Sequence, residues 1–109
     1  MWETGIEMER LDFHGLAERL RQDYGAQKIW LYGSHARGTA TEDSDVDLLV
    51  ISPTTESFFV RMASVRRLLR KERKSAPIAP LVLTPEELED RLRKGDQFFE
   101  GIVREGVEL

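Results

Sequence analysis

Apolar residues along the chain repeat with two periods, and the period changes where one element gives way to the next. Phe13, Leu16, Ala17, Leu20 and Tyr24 recur at helical spacing, with Arg19, Arg21 and Gln22 on the other side. Residues 12–24 therefore read as an amphipathic helix, stopped at Gly25. Lys28 to Tyr32 (KIWLY) is β-branched and aromatic and reads as a buried strand. Gly33 to Ser44 is polar, holds two glycines and predicts a loop with at most one helical turn. Asp45 to Ile51 (DVDLLVI) is the clearest strand. Phe58, Met62, Val65 and Leu69 form a second helical stripe, and Ile78 to Leu83 a third strand. Thr84-Pro85-Glu86-Glu87 is a helix start, in which Thr84 can cap, Pro85 suits the first turn and Glu87 completes a capping box. Phe98, Phe99, Ile102 and Val103 mark a last short helix before Gly106. The order αβ(α)βαβαα predicts an α/β (α+β) fold, a small three-stranded mixed sheet flanked by helices.

Length and charge narrow what such a fold can do. The 109 residues make one domain, 1–109, with room for one modest core. A net charge of −4 disfavours non-specific binding to nucleic acid. Without cysteine there are no disulfides, thiolate metal sites or cysteine nucleophiles. The start of the chain is acidic (Glu3, Glu7, Glu9), and no segment approaches the ~20 apolar residues of a membrane helix, so a cytoplasmic setting without a signal peptide is expected.

The chemistry concentrates between the first two strands. Side chains at i and i+2 of a strand share a face, so Asp45 and Asp47 are expected to point the same way, with Cα atoms about 6–7 Å apart. Val46, Leu48 and Val50 then point into the core. Two adjacent carboxylates repel unless a cation lies between them, and Mg²⁺ prefers carboxylate and phosphate oxygens. Gly33 lets the backbone turn and approach a ligand, and Ser34 places a hydroxyl where a helical turn could begin and attract an anion. A glycine-serine turn beside paired aspartates suits metal-assisted phosphoryl or nucleotidyl transfer.

Gly33-Ser34, ten intervening residues and then Asp45-Val46-Asp47 resembles the signature of the minimal nucleotidyltransferases of the DNA polymerase β superfamily. The likeness extends to Ile29–Tyr32, to Arg37-Gly38, to Leu83–Leu88 and to the tail from Phe98 to Gly106. It implies ATP as substrate and Mg²⁺ as cofactor, with AMP passed to a hydroxyl. Asp45 and Asp47 would be the catalytic, metal-binding pair, and Gly33 and Ser34 would contact the triphosphate. The small members resemble antitoxins paired with a HEPN-type toxin, some of which modify a toxin tyrosine, so such a toxin is the expected protein partner. Self-association into a homo-oligomer stays open.

One position departs from the pattern. Counting back from Thr84, the family's third carboxylate falls at Ala79, and no Asp or Glu lies between Glu72 and Glu86. The missing group ordinarily helps to bind metal and deprotonate the acceptor, work typically worth about 10²–10⁴-fold. Glu42 and Asp43 are the nearby carboxylates that could substitute. Two readings follow: a slow adenylyltransferase, or a degenerate one that neutralises its partner by contact. An antibiotic- or nucleic-acid-modifying transferase is disfavoured, because those usually carry a second domain. Pro80 suits an edge strand or a bulge.

Arg37 suits a nucleotide phosphate or a carboxylate that braces the loop. His35 reads as an exposed loop residue and His14 as surface. Arg66, Arg67, Arg70, Lys71, Arg73 and Lys74 read as a solvated basic face, which Glu86, Glu87, Glu89 and Asp90 could offset; the alternative is a contact for an acidic partner or RNA. Trp30 and Tyr32 read as core.

Overall fold

The computed structural model describes residues 11–74 and 76–109. The acidic start of the chain, on which the absence of a signal peptide was argued, lies outside them. Helix α1 (Phe13–Tyr24) starts where the Asp12 carboxylate accepts the Gly15 amide at 2.8 Å and ends at Gly25 in the left-handed region, φ 71°. Strand β1 (Lys28–Tyr32), the short helix α2 (Ser34–Arg37), strand β2 (Val46–Ile51), helix α3 (Phe58–Leu68) and strand β3 (Ile78–Leu83) follow. Helices α4 (Pro85–Arg93) and α5 (Gln97–Glu105) and a two-residue strand, β4 (Val107–Glu108), complete the order. Thr84 caps α4 with both hydrogen bonds of the capping box, to and from Glu87.

The sheet is mixed, as expected, but has four strands, in the order β3-β2-β1-β4. β1 pairs antiparallel with β2 and β4, and β2 pairs parallel with β3. The fourth strand is too short to show a period. Gly106 makes it possible, since a Cβ there would lie 2.6 Å from the Ile102 carbonyl oxygen and 3.1 Å from that of Leu31. A second difference is that Asp45 stands outside the ladder, which begins at Val46.

Helices cover both faces of the sheet. Ile29, Leu31, Val46, Leu48, Val50 and Val82 pack under Leu16, Ala17 and Leu20 of α1 and Val65 and Leu69 from α3 and its exit. On the other face Trp30, Leu49, Ile51 and Leu83 pack under Ile102, Phe99 and Val103 of α5 and Leu88 of α4. Alternate residues of β2 thus enter two different cores, which is why DVDLLVI reads as nearly continuous apolar sequence.

The stripe on α3 turns inward one residue earlier than periodicity suggests. Phe58 is exposed, Met62 is half-buried, and Arg61 is buried with Val65. The Arg61 guanidinium donates to the carbonyls of Glu56 (2.9 Å) and Val82 (3.1 Å) and to both carboxylate oxygens of Glu87 (2.7 and 3.3 Å). Arg61 holds the Glu87 carboxyl below its usual range.

β3 is an edge strand, as Pro80 suggests. The Pro77 carbonyl accepts the Val46 amide at 2.8 Å and the Leu83 carbonyl the Ser52 amide at 3.0 Å. By alternation, Ile78, Pro80 and Val82 turn their backbone groups outward. Pro80 has no N–H, and the carbonyls of Ile78 and Val82 accept from Arg66 Nε (3.2 Å) and Arg61. The margin is therefore poorly suited to pairing with another strand. Among the described residues no helix is long and apolar enough to cross a membrane.

Candidate active site

Register places one row of side chains across the end of the sheet. Asp47 pairs with Ala79 on one side and with Tyr32 on the other. Laterally paired residues point to the same face, so Ala79, Asp47 and Tyr32 stand side by side. Ala79, the position of the family's third carboxylate, is thus next to Asp47, and a methyl group occupies that place.

The turn after β1 comes up beneath Asp47. Gly33 has φ 76° and ψ −154°, a region essentially confined to glycine, and a Cβ there would collide with Asp47 Oδ2. The carboxylate therefore lies against bare backbone where α2 begins. Ser34 opens α2 with no side-chain cap on its first turn.

Burial, and secondly the charge of Asp45, raise the Asp47 carboxyl above its usual value, while His35 and Arg37 pull it down. Asp45, Asp47, His35 and Arg37 therefore share one electrostatic neighbourhood. The Tyr32 phenol is pushed up to about 12, by burial first and the Asp47 charge second, so it stays protonated at neutral pH. Asp45 is exposed and Asp47 half-buried.

His35 departs from the exposed position expected of it. Its half-buried ring meets Phe13 edge-on, with centroids 6.0 Å apart, and Nε2 lies 3.4 Å from the Ser44 carbonyl. The Ser44 hydroxyl accepts the Thr41 amide at 2.8 Å, and the Ser44 amide donates to the Thr41 carbonyl at 3.1 Å. These contacts hold the turn that delivers Asp45. His14 is exposed, as expected.

Two neighbouring carboxylates suit a hard divalent cation, because Mg²⁺ commonly takes one or two protein carboxylates and completes its shell with phosphate and water. Glu42 and Asp43 do not extend the pair: they lie in an exposed turn, and among the described residues no three His, Cys, Asp or Glu side chains gather to hold a metal.

Beside this row lies a groove of about 340 Å³ whose lining includes Tyr32, Gly33, Arg37, Gln97, Phe98 and Gly101. The Phe98 ring is 52% exposed and stands edge-on to Tyr32, with centroids 5.8 Å apart.

The family described as nucleotidyltransferase domain matches residues 14–104. The chain belongs to that family. Among its relatives, the protein adenylyltransferase MntA of Thermococcus cleftensis is 52% identical over 33 residues, 30% of this chain and 33% of that protein. A protein of Methanocaldococcus jannaschii, provisionally named a protein adenylyltransferase, is 37% identical over 76 residues, 65% of this chain and 52% of that one. The nucleotidyltransferase domain described here thus spans between a third and about half the length of these curated relatives.

Sequence reasoning on this domain missed His35, Ser44 and Phe98 as shapers of the site. The cluster Thr41-Glu42-Asp43-Ser44 carried a turn signal, since short hydroxyl and carboxylate side chains bond nearby backbone. Phe98 gave none, because it shares the apolar pattern of Phe99, Ile102 and Val103, which do face the core.

Gly33→Ala is expected to destabilise the domain by about 1–3 kcal/mol. It should also displace the Asp47 carboxylate and weaken Mg²⁺–ATP binding. Thermal melts with and without Mg²⁺–ATP check this, the expected result being loss of the nucleotide-induced rise in Tm.

Proposed function

We propose that this domain transfers AMP from ATP to a hydroxyl of a protein acceptor, in a Mg²⁺-dependent reaction, and that the acceptor is a HEPN-type toxin for which the chain is the antitoxin. The observation that carries the reading is the Asp47 carboxylate set over the bare backbone of Gly33 with Asp45 beside it. The names of the two archaeal relatives favour adenylyl over other nucleotidyl groups.

In this reading Gly33 and Ser34 seat the triphosphate, Arg37 adds a positive charge at its rim, and Asp45 and Asp47 hold Mg²⁺. When bound, Mg²⁺ neutralises charge on the phosphate oxygens and on the departing pyrophosphate. The acceptor oxygen attacks the α-phosphorus, the bond to the β-phosphate bridging oxygen breaks, and pyrophosphate leaves. The groove along Tyr32, Gln97 and Phe98 takes the nucleoside, with the Phe98 ring offering a stacking face. No carboxylate stands at Ala79 to receive the acceptor proton, so it passes to water and transfer is slow.

The test uses ATP labelled at either the α- or the γ-phosphate, with purified acceptor. Label is expected on the acceptor from the α-position only, and EDTA should abolish it. Label from the γ-position would make the protein a kinase, and no label from either would remove the enzyme reading. Ala79 favours a second reading, neutralisation by contact alone. That reading wins if the Asp45→Ala, Asp47→Ala double variant still neutralises the toxin.

A further inference from the structure

The basic residues at the end of α3 and in the turns after it form a groove rather than an evenly solvated face. Arg66, Arg67, Arg70 and Arg73 line a hollow of about 490 Å³ together with Pro77 and Ile78. Arg66 Nε donates to the Ile78 carbonyl at 3.2 Å, and Arg73 donates to the Ala76 carbonyl at 3.2 Å, which orients these two guanidinium groups. Among the described residues no carboxylate lies within ion-pair distance of the four arginines. The acidic residues of α4 do not offset them as expected: Glu87 pairs with Arg61, and Glu89 and Asp90 with Arg93 and Lys94 of their own segment. Four guanidinium groups around one hollow, in a chain of net charge −4, make a localised site for a multiply negative ligand.

The groove and the carboxylate pair meet the same end of the sheet. Pro77, one of its walls, is hydrogen-bonded to Val46, the residue between Asp45 and Asp47. Ile78, another wall, pairs with Val46, and the next residue is Ala79. The groove therefore follows the start of β3, the strand next to the one that carries Asp47, with Ile78 on the α3 face of the sheet and Asp47 on the opposite one.

We propose that this groove docks an acidic polypeptide segment of the acceptor and so presents a nearby hydroxyl to the carboxylate pair. The inference rests on adenylyl transfer to a protein for its consequence, but docking itself does not. Charge complementarity identifies the occupant. Among the described residues no aromatic side chain lines the groove to stack a base, and the net negative charge of the chain disfavours a long nucleic acid, so polypeptide carboxylates fit better than RNA. The blunted margin of β3 excludes strand addition, which leaves side-chain ion pairing as the mode.

A fluorescein-labelled oligoglutamate peptide, titrated with the full chain without nucleotide, tests this by anisotropy. The peptide is expected to bind in a salt-sensitive manner, and Arg67→Glu with Arg70→Glu to weaken it by at least about tenfold. Both positions are exposed and neither guanidinium braces a carbonyl, so the fold should hold, as circular dichroism would report. Arg67→Lys with Arg70→Lys should retain binding within a few-fold. Mg²⁺–ATP affinity of the charge-reversed variant should match the parent, which separates failure of docking from failure of the nucleotide site. Absence of peptide binding, indifference to charge reversal, or tighter binding of an oligouridylate of equal charge would each overturn the proposal.

Discussion

Replacing Asp47 by asparagine is expected to lower adenylyl transfer by about 1000-fold, equivalent to ~4 kcal/mol of barrier, while leaving the Tm of the metal-free protein unchanged or higher. The kinetic half follows from position. Asp47 is the carboxylate fixed inside the β ladder and set against Gly33, and an amide cannot replace its charge. The stability half follows from linkage. A carboxyl whose folded-state value is raised binds its proton more tightly in the folded than in the unfolded chain. Its contribution to stability is therefore greatest in acid and is lost as pH rises from the ordinary value of 3.8 through the raised one. At neutral pH the ionised form opposes folding, and asparagine removes that opposition. Calorimetry of the metal-free variant beside its transfer rate checks both halves. Transfer within about tenfold of the parent would mean that Asp47 does not hold the metal.

Ala79→Asp is expected to act in the opposite sense, raising transfer by about 100-fold, the low end of what general-base catalysis contributes. Register makes this more than an analogy to relatives, because the new carboxylate would stand on the parallel strand directly beside Asp47. It would also add a third negative charge beside those of Asp45 and Asp47. The metal-free variant should melt lower than the parent, and Mg²⁺ should recover the difference. A rate at saturating Mg²⁺–ATP no higher than the parent's would show that the missing carboxylate is not what limits the reaction.

Much of this arrangement is legible from residue order, for reasons that differ by element. β1 and β3 fall where predicted because short β-branched and aromatic runs end at Gly33 and Thr84, whose local chemistry allows little else. The capping box of α4 is purely local and forms as read. The two-residue β4 depends on Gly106 fitting against the Leu31 carbonyl, a tertiary contact with no periodic trace. Arg61 looks like an exposed helix residue, and its burial is made tolerable by Glu87, 26 positions later, together with the carbonyls of Glu56 and Val82. The spacing of Gly33, Ser34, Asp45 and Asp47 identified the turn and the strand that meet. It could not tell that Asp45 would stand outside the ladder, because that depends on where β3 stops pairing with β2.

That difference divides the labour of the two aspartates. Asp47 is a fixed post, paired with a neighbouring strand on each side, whereas Asp45 hangs at the exit of a turn pinned, among the described residues, by Thr41, Ser44 and His35. In the proposed reaction, opening for product to leave and nucleotide to enter is therefore expected at the Asp45 end, with the post held in place.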